Sequence, residues 1–241
     1  MISGVSVERG EDTSALLVVF SGLAQRWGMG GHEFAGTASR LRYSRILCRD
    51  VHDRAYLEGF DRATPSLDAA LDWLQEEIAR LAPKRTLFIG NSVGAYAALL
   101  YGHLLGADTV QAFAPITCLD RPYVERHREL DDAGRAWYEQ LWALPPPAQD
   151  SFDLAQVLAT HNGRTQYHVH HCDGCASDQH AAQHLAQAPG VQVHSHACHN
   201  HLVSRHLARR GLLFKLLRPE NQDAVRTLLG DDDTRGERHV G

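Results

Sequence analysis

The sequence carries no basic excess: 24 Lys and Arg stand against 29 Asp and Glu, a net charge of −5. That excludes the electrostatic footprint of a nucleic-acid binder or of a protein held on an anionic membrane. Long hydrophobic runs are also lacking. The most apolar stretch near the N-terminus, ALLVVF at Ala15–Phe20, is far too short to span a bilayer. The opening residues, MISGVSVERGEDTS, show no basic region followed by an apolar segment, so no secretion signal is read and the cytoplasm is the expected location. Five cysteines are an odd number and do not suggest a disulfide framework. No internal repeat is found.

What is present is ordinary for a globular enzyme-sized chain. The 241 residues suffice for one large domain, and 44% of them are hydrophobic. Continuous apolar runs at Ala15–Phe20, Ser44–Cys48, Arg85–Ile89 and Thr109–Phe113 read as strands buried on both faces. Between them, Ser66 reads as an N-cap, followed by Leu67, Ala70, Leu71, Leu74, Ile78 and Leu81 at helical spacing. His32–Leu41 reads as a short helix, and Val93–Leu105 as a strong one stopped by Gly106. After a gap the alternation resumes, with strands at Thr165–Cys172 and Val191–Ser195 and helices at Asp178–Gln187 and Leu202–Arg210. Strands separated by helices imply parallel βαβ units, hence an α/β, three-layer, doubly wound, mostly parallel sheet. The expected organisation is a single domain over residues 1–230, with a helical insertion or cap at 118–164 and a charged, disordered tail at 231–241. Helices are expected in the insertion near Asp131–Leu144 and Phe152–Thr160. Trp137, Tyr138, Leu141 and Phe152 would form its core or line a pocket. Tyr56 and Phe60, after the second strand, could also face that pocket.

One short stretch carries chemistry. GNSVG at Gly90–Gly94 matches G-x-S-x-G and lies between the strand TLFI and the helix VGAYAALLYG. That strand–turn–helix context is what a nucleophile elbow requires. A serine on so sharp a turn needs small residues two positions to either side, and Gly90 and Gly94 meet that need. The N–H of Val93 then lies at a helix N-terminus, where it can stabilise an oxyanion. A second donor is expected from the Ser21–Leu23 loop after the first apolar strand, at Gly22 or Leu23. Gly22 could equally be a strand-ending turn residue.

Serine needs a base, and the base needs an orienting partner. His201 lies between the last strand and the helix that follows it, and His199 is its rival. For the acid, Asp178 competes with Asp173. Asp178 could instead be only a helix N-cap, and Asp173 only a turn residue.

On these residues the chain resembles the α/β-hydrolase superfamily, over about Ala15 to Leu217. NSVGAYAALLYG and AFAPIT are similar to segments of small bacterial hydrolase-like proteins. The resemblance implies a Ser92–His201–Asp178 triad, an oxyanion hole at Val93 and the Ser21–Leu23 loop, and a small-molecule acyl substrate. The expected activity is that of a serine hydrolase (esterase- or thioesterase-like), with no cofactor. An acyltransferase using the same triad and a catalytically idle binding protein on the same fold stay open as alternatives. The sequence departs from the family pattern in lacking an HGGG-type oxyanion motif.

Sixteen histidines are the other notable feature, eleven of them between His161 and His206. His168, His170 and Cys172 alternate along one strand, and Gln192, His194 and His196 along the next, so each set shares a face. Cys172-x-x-Cys175 falls in the same segment. Zinc and redox roles compete there with histidines placed at a half-buried sheet edge, and no metal site is expected. Cys48 and Cys118 read as ordinary buried thiols.

Overall fold

The computed structural model describes residues 4–22, 34–160 and 163–233. Seven strands form one sheet: β1 (Val5–Glu8), β2 (Asp12–Phe20), β3 (Tyr43–Cys48), β4 (Arg85–Asn91), β5 (Thr109–Phe113), β6 (Gln166–Gly174) and β7 (Val191–His199), in the order β1-β3-β2-β4-β5-β6-β7. Only β1 runs antiparallel, pairing with β3. The other neighbours are parallel. Leu16 to Phe20, in the centre of the sheet, are fully buried, as a strand covered on both faces must be.

The helices are α1 (Ala35–Ala38), α2 (Leu67–Leu81), α3 (Val93–Leu104), α4 (Arg121–His127), α5 (Asp132–Trp142), α6 (Pro146–Gln149), α7 (Leu154–Ala159), α8 (Ala176–Leu185), α9 (Val203–Arg209), α10 (Leu212–Leu216) and α11 (Val225–Asp233). One core packs Leu16, Val18 and Phe20 of β2 against α2, α3 and the insertion helices. The other packs Leu17 and Val19 of the same strand against α9 to α11. Successive residues of a strand point to opposite faces, so the two helical layers follow from the two-residue period. Helix α2 starts where its sequence dictates: the Ser66 side chain accepts from Ala69 N at 3.1 Å. Ala82 then closes it in the left-handed region (φ 46°) just before Pro83.

The structure adds elements that sequence patterning does not show. The edge strand β1 is only four half-buried residues, too short for a clear alternation. The insertion contains four helices, α4 to α7. The tail expected from Asp231 is corrected at its start, since α11 continues to Asp233; 234–241 lie outside the described residues. So do 32 and 33, at the start of the expected helix His32–Leu41. Among the described residues no helix is long and apolar enough to cross a membrane.

Candidate active site

Ser92 follows β4 directly and is held at φ 56°, ψ −120°, a conformation a side-chain-bearing residue adopts only when its surroundings over-determine it. Here they do. Ser92 N donates to Phe113 O at 2.9 Å, and Ser92 O accepts from Ala95 N and Tyr96 N at 3.0 and 3.1 Å. Both flanking glycines are required by space. A Cβ on Gly90 would meet Gly94 O at 2.0 Å, and one on Gly94 would meet Phe20 O at 2.3 Å. The second approach packs the first turn of α3 against the end of β2. Val93 is the first residue of α3, so its N–H has no intrahelical acceptor.

His201 and Asp178, the residues expected as base and acid, are brought together from the ends of β7 and β6. His201 Nδ1 lies 2.6 Å from Asp178 Oδ1. Asp178 is 1% exposed, and the side chain of His201 38%. Their geometry separates the competing readings of Asp178. The residue at the N-cap of α8 is Cys175; Asp178 is in the first turn, already helical, and its carboxylate is turned to His201. Asp173 lies within β6, which runs on to Gly174, and is exposed. Its carbonyl accepts from the Gln179 side chain. Asn200, in the left-handed region at φ 66°, makes the turn that presents His201. Ser204 Oγ, in the first turn of α9, donates to Asn91 Oδ1 at 3.4 Å and ties that segment to the residue before Ser92. Among the described residues no hydrogen bond joins Ser92 Oγ to His201. Catalytic hydrogen bonds of this kind are often long without substrate and tighten in the complex.

Of the two residues considered for the second oxyanion donor, Gly22 lies two residues past the end of β2 and Leu23 lies outside the described residues. The loop is anchored from beneath. The Tyr56 hydroxyl is 2.8 Å from Ser21 O and 3.1 Å from Cys48 O, and donates its one proton to that pair. Tyr56 and Phe60 are therefore corrected from pocket lining to core: both are fully buried and pack on Phe20 and Tyr101. Sequence reasoning missed this anchoring role. The run of positive φ at Asp53, Ala55 and Tyr56 that aims the ring inward has no glycine to announce it. Trp137, Tyr138, Leu141 and Phe152 are likewise buried, as the core of the cap. Trp137 Nε1 donates to Asp53 O at 3.0 Å and joins the cap to the same loop.

The histidine-rich segment forms a hydrogen-bonded network that runs from buried β6 to the half-buried edge strand β7. On the sheet face covered by the C-terminal helices, His168 pairs with His194 and His170 with His196, each at 3.0 Å between Nδ1 and Nε2. The rings stack at 20–24° to one another, and His170 also stacks on Phe113. His170 Nε2 meets Gln111 Oε1 at 2.7 Å, and Gln111 donates to Gln222 Oε1 at 2.7 Å. Burial holds these imidazoles neutral: it pushes His168 down to about 4 and His194 and His196 to about 3, and holds His170 well below the usual imidazole range. Cys172, expected to lie in a C-x-x-C pair, is instead bonded to Cys198 across β6 and β7, leaving Cys175 free. Cys48 and Cys118 are buried thiols, and burial pushes Cys118 up to about 12.

No protein-family model matches the sequence, and no curated protein matches it. Solved structures do resemble it. The capsule O-acetyltransferase of Neisseria meningitidis serogroup A is 13% identical with a TM-score of 0.62, covering 88% of this chain and 90% of its own. Esterase B from Lactobacillus rhamnosis is 15% identical with a TM-score of 0.58, over 96% of this chain and 81% of its own. The α/β-hydrolase enzyme MGS-MChE2, from the metagenome of lagoon sediments at Mar Chica, Morocco, is 13% identical with a TM-score of 0.55, over 97% and 98%. With a mostly parallel sheet, a strained serine between strand and helix, and these neighbours, the chain has the α/β-hydrolase fold.

Proposed function

We propose that this protein is a serine hydrolase cleaving a carboxylic ester or thioester through an acyl-enzyme on Ser92. The observation that carries the reading is the conjunction of a strained Ser92 between two obligatory glycines with a buried Asp178 hydrogen-bonded to His201. In this reading Asp178 fixes the tautomer of His201: Nδ1 carries its proton toward the carboxylate, and Nε2 is left as the base. His201 takes the Ser92 proton as Oγ attacks the acyl carbonyl. Charge developing on the carbonyl oxygen is met by the N–H of Val93 and by a second N–H from Gly22 or Leu23. His201 then protonates the leaving group, and water, activated by the same histidine, releases the acid.

Transfer of the acyl group to an alcohol is the second reading, favoured by the O-acetyltransferase among the structural neighbours. Chemically the two differ only in what deacylates Ser92. Incubation with p-nitrophenyl acetate and with an acyl thioester, followed by peptide mass mapping, tests both. The expected result is an acyl group on the peptide containing Ser92 and none in Ser92→Ala. Turnover undiminished in Ser92→Ala would overturn the proposal. Acyl esters accumulating in the presence of added alcohols, at the expense of free acid, would favour the transferase.

A further inference from the structure

Away from Ser92, three side chains from separate parts of the chain converge where the insertion meets the body. Cys118 follows β5 at the start of the insertion, Asp153 is the N-cap of α7 near its end, and His184 is in the last turn of α8. Their ligand atoms, Cys118 Sγ, an Asp153 carboxylate oxygen and a His184 ring nitrogen, all lie within 4.8 Å of one another. Cys118 is 2% exposed, and the side chains of His184 and Asp153 are 21% and 17% exposed, so none is a freely solvated surface group.

We propose that Cys118, Asp153 and His184 form a binding site for a zinc-type dication that clamps the insertion onto α8. The donor set is one thiolate, one imidazole and one carboxylate, the mixture that zinc takes in preference to calcium or magnesium. Zinc at its usual bond lengths, in tetrahedral geometry, sets its ligand atoms about 3.2–3.7 Å apart. His184 Nε2 and Asp153 Oδ1 stand closer than that, and Cys118 Sγ is within 4.8 Å of both partners' ligand atoms. The present contact between His184 Nε2 and Asp153 Oδ1, 2.7 Å, would open by about 0.5–1 Å as the ion entered.

The positions are held by the backbone. Cys118 and Asp153 face each other in an antiparallel bridge, flanked by Leu119 N to Phe152 O at 2.9 Å and Leu154 N to Thr117 O at 3.0 Å. Outer contacts orient the ligands, as in established metal sites. Gln156 Nε2 donates to Asp153 Oδ2 at 3.0 Å, and the Tyr123 ring packs on that of His184 with centroids 4.7 Å apart. The fourth position falls to water; the Cys118 thiol at present donates to Asp120 Oδ2 at 3.6 Å, a contact the ion would replace. Binding forms a metal–sulfur bond and releases the thiol proton to solvent; no redox partner is needed.

Cobalt(II) titration of the full chain, purified without a histidine tag, tests this. A thiolate ligand to cobalt gives a sulfur-to-metal charge-transfer band in the near ultraviolet, which binding to histidines alone does not. The expected result is a band that saturates near one equivalent, is lost in Cys118→Ser and in His184→Ala, and persists in Cys175→Ser. Zinc should compete it away. Zinc should also raise the melting temperature of the wild type and leave that of Cys118→Ser unchanged. Because Cys118→Ser is nearly isosteric and Asp153→Asn is a second probe, a folded variant is available for comparison. Absence of the band at saturating cobalt, or a band lost in Cys175→Ser and kept in Cys118→Ser, would overturn the site.

Discussion

At the scale of single residues, the site depends on space as much as on charge. Gly90 faces the backbone of Gly94, and neither can yield as a flexible side chain would. Gly90→Ala is therefore expected to destabilise the fold by about 2–3 kcal/mol or more, at the upper end of ordinary substitutions; urea denaturation measures it. Asp178→Asn keeps the shape of a 1% exposed side chain while removing its negative charge and replacing one accepting oxygen with an N–H donor, so that His201 can be held in the wrong tautomer. A fall in kcat of about 10³–10⁴-fold is expected, by analogy with the same change in a serine-protease triad. Asp173→Asn should leave kcat within twofold. Equal losses at both positions would overturn the assignment of the acid. Tyr56→Phe removes the proton shared by the Ser21 and Cys48 carbonyls, and a positioning role requires kcat to fall while KM stays put.

Among elements, the pairing of β6 with β7 accounts for most of what the sequence concealed. Alternation alone places His168, His170 and Cys172 on one face. That they meet His194, His196 and Cys198 follows only from the parallel register, in which His170 lies opposite His194 and Cys172 opposite His196. Strand order and register are set by long-range packing, so the ladder could be read only on the condition that the two strands are neighbours, which they are, and the disulfide could not be read locally. The ladder has a consequence for stability. Its four imidazoles are all held neutral in the folded protein well below the usual range, His168 down to about pH 4 and His194 and His196 to about pH 3, whereas in the unfolded chain they take up protons near pH 6.5. Between those limits the unfolded state binds more protons, so stability is full above pH 6.5 and is lost as pH falls. Each such group contributes a slope of about 1.4 kcal/mol per pH unit. Asp50, raised to about 6 by burial, acts in the opposite sense, one group against four. Urea midpoints are expected to drop steadily from pH 7 to pH 5, and less steeply in the double variant His168→Gln/His194→Gln. A flat profile in the wild type would contradict the buried ladder.

For the whole molecule, the fold was legible because its central strands are buried on both faces and therefore read as unbroken apolar runs. Thr109–Phe113 agrees residue for residue, and α2 to its ends. The elbow was legible for a related reason: its glycines are obligatory, and obligatory residues leave a pattern. Position in the chain pointed to Asp178 ahead of Asp173 as the partner of His201, and Asp178 is the one hydrogen-bonded to it. The convergence of Cys118, Asp153 and His184 was not legible at all, because the residues come from distant segments with no shared spacing. The chemistry proposed for this assembly rests on Ser92 being a nucleophile. Reaction with a fluorophosphonate probe, followed by peptide mapping, measures that most directly. The expected result is a single adduct on Ser92 in the wild type, none in Ser92→Ala, and much slower labelling in His201→Gln. Equal labelling of wild type and Ser92→Ala, or no labelling of a folded wild type, would contradict it.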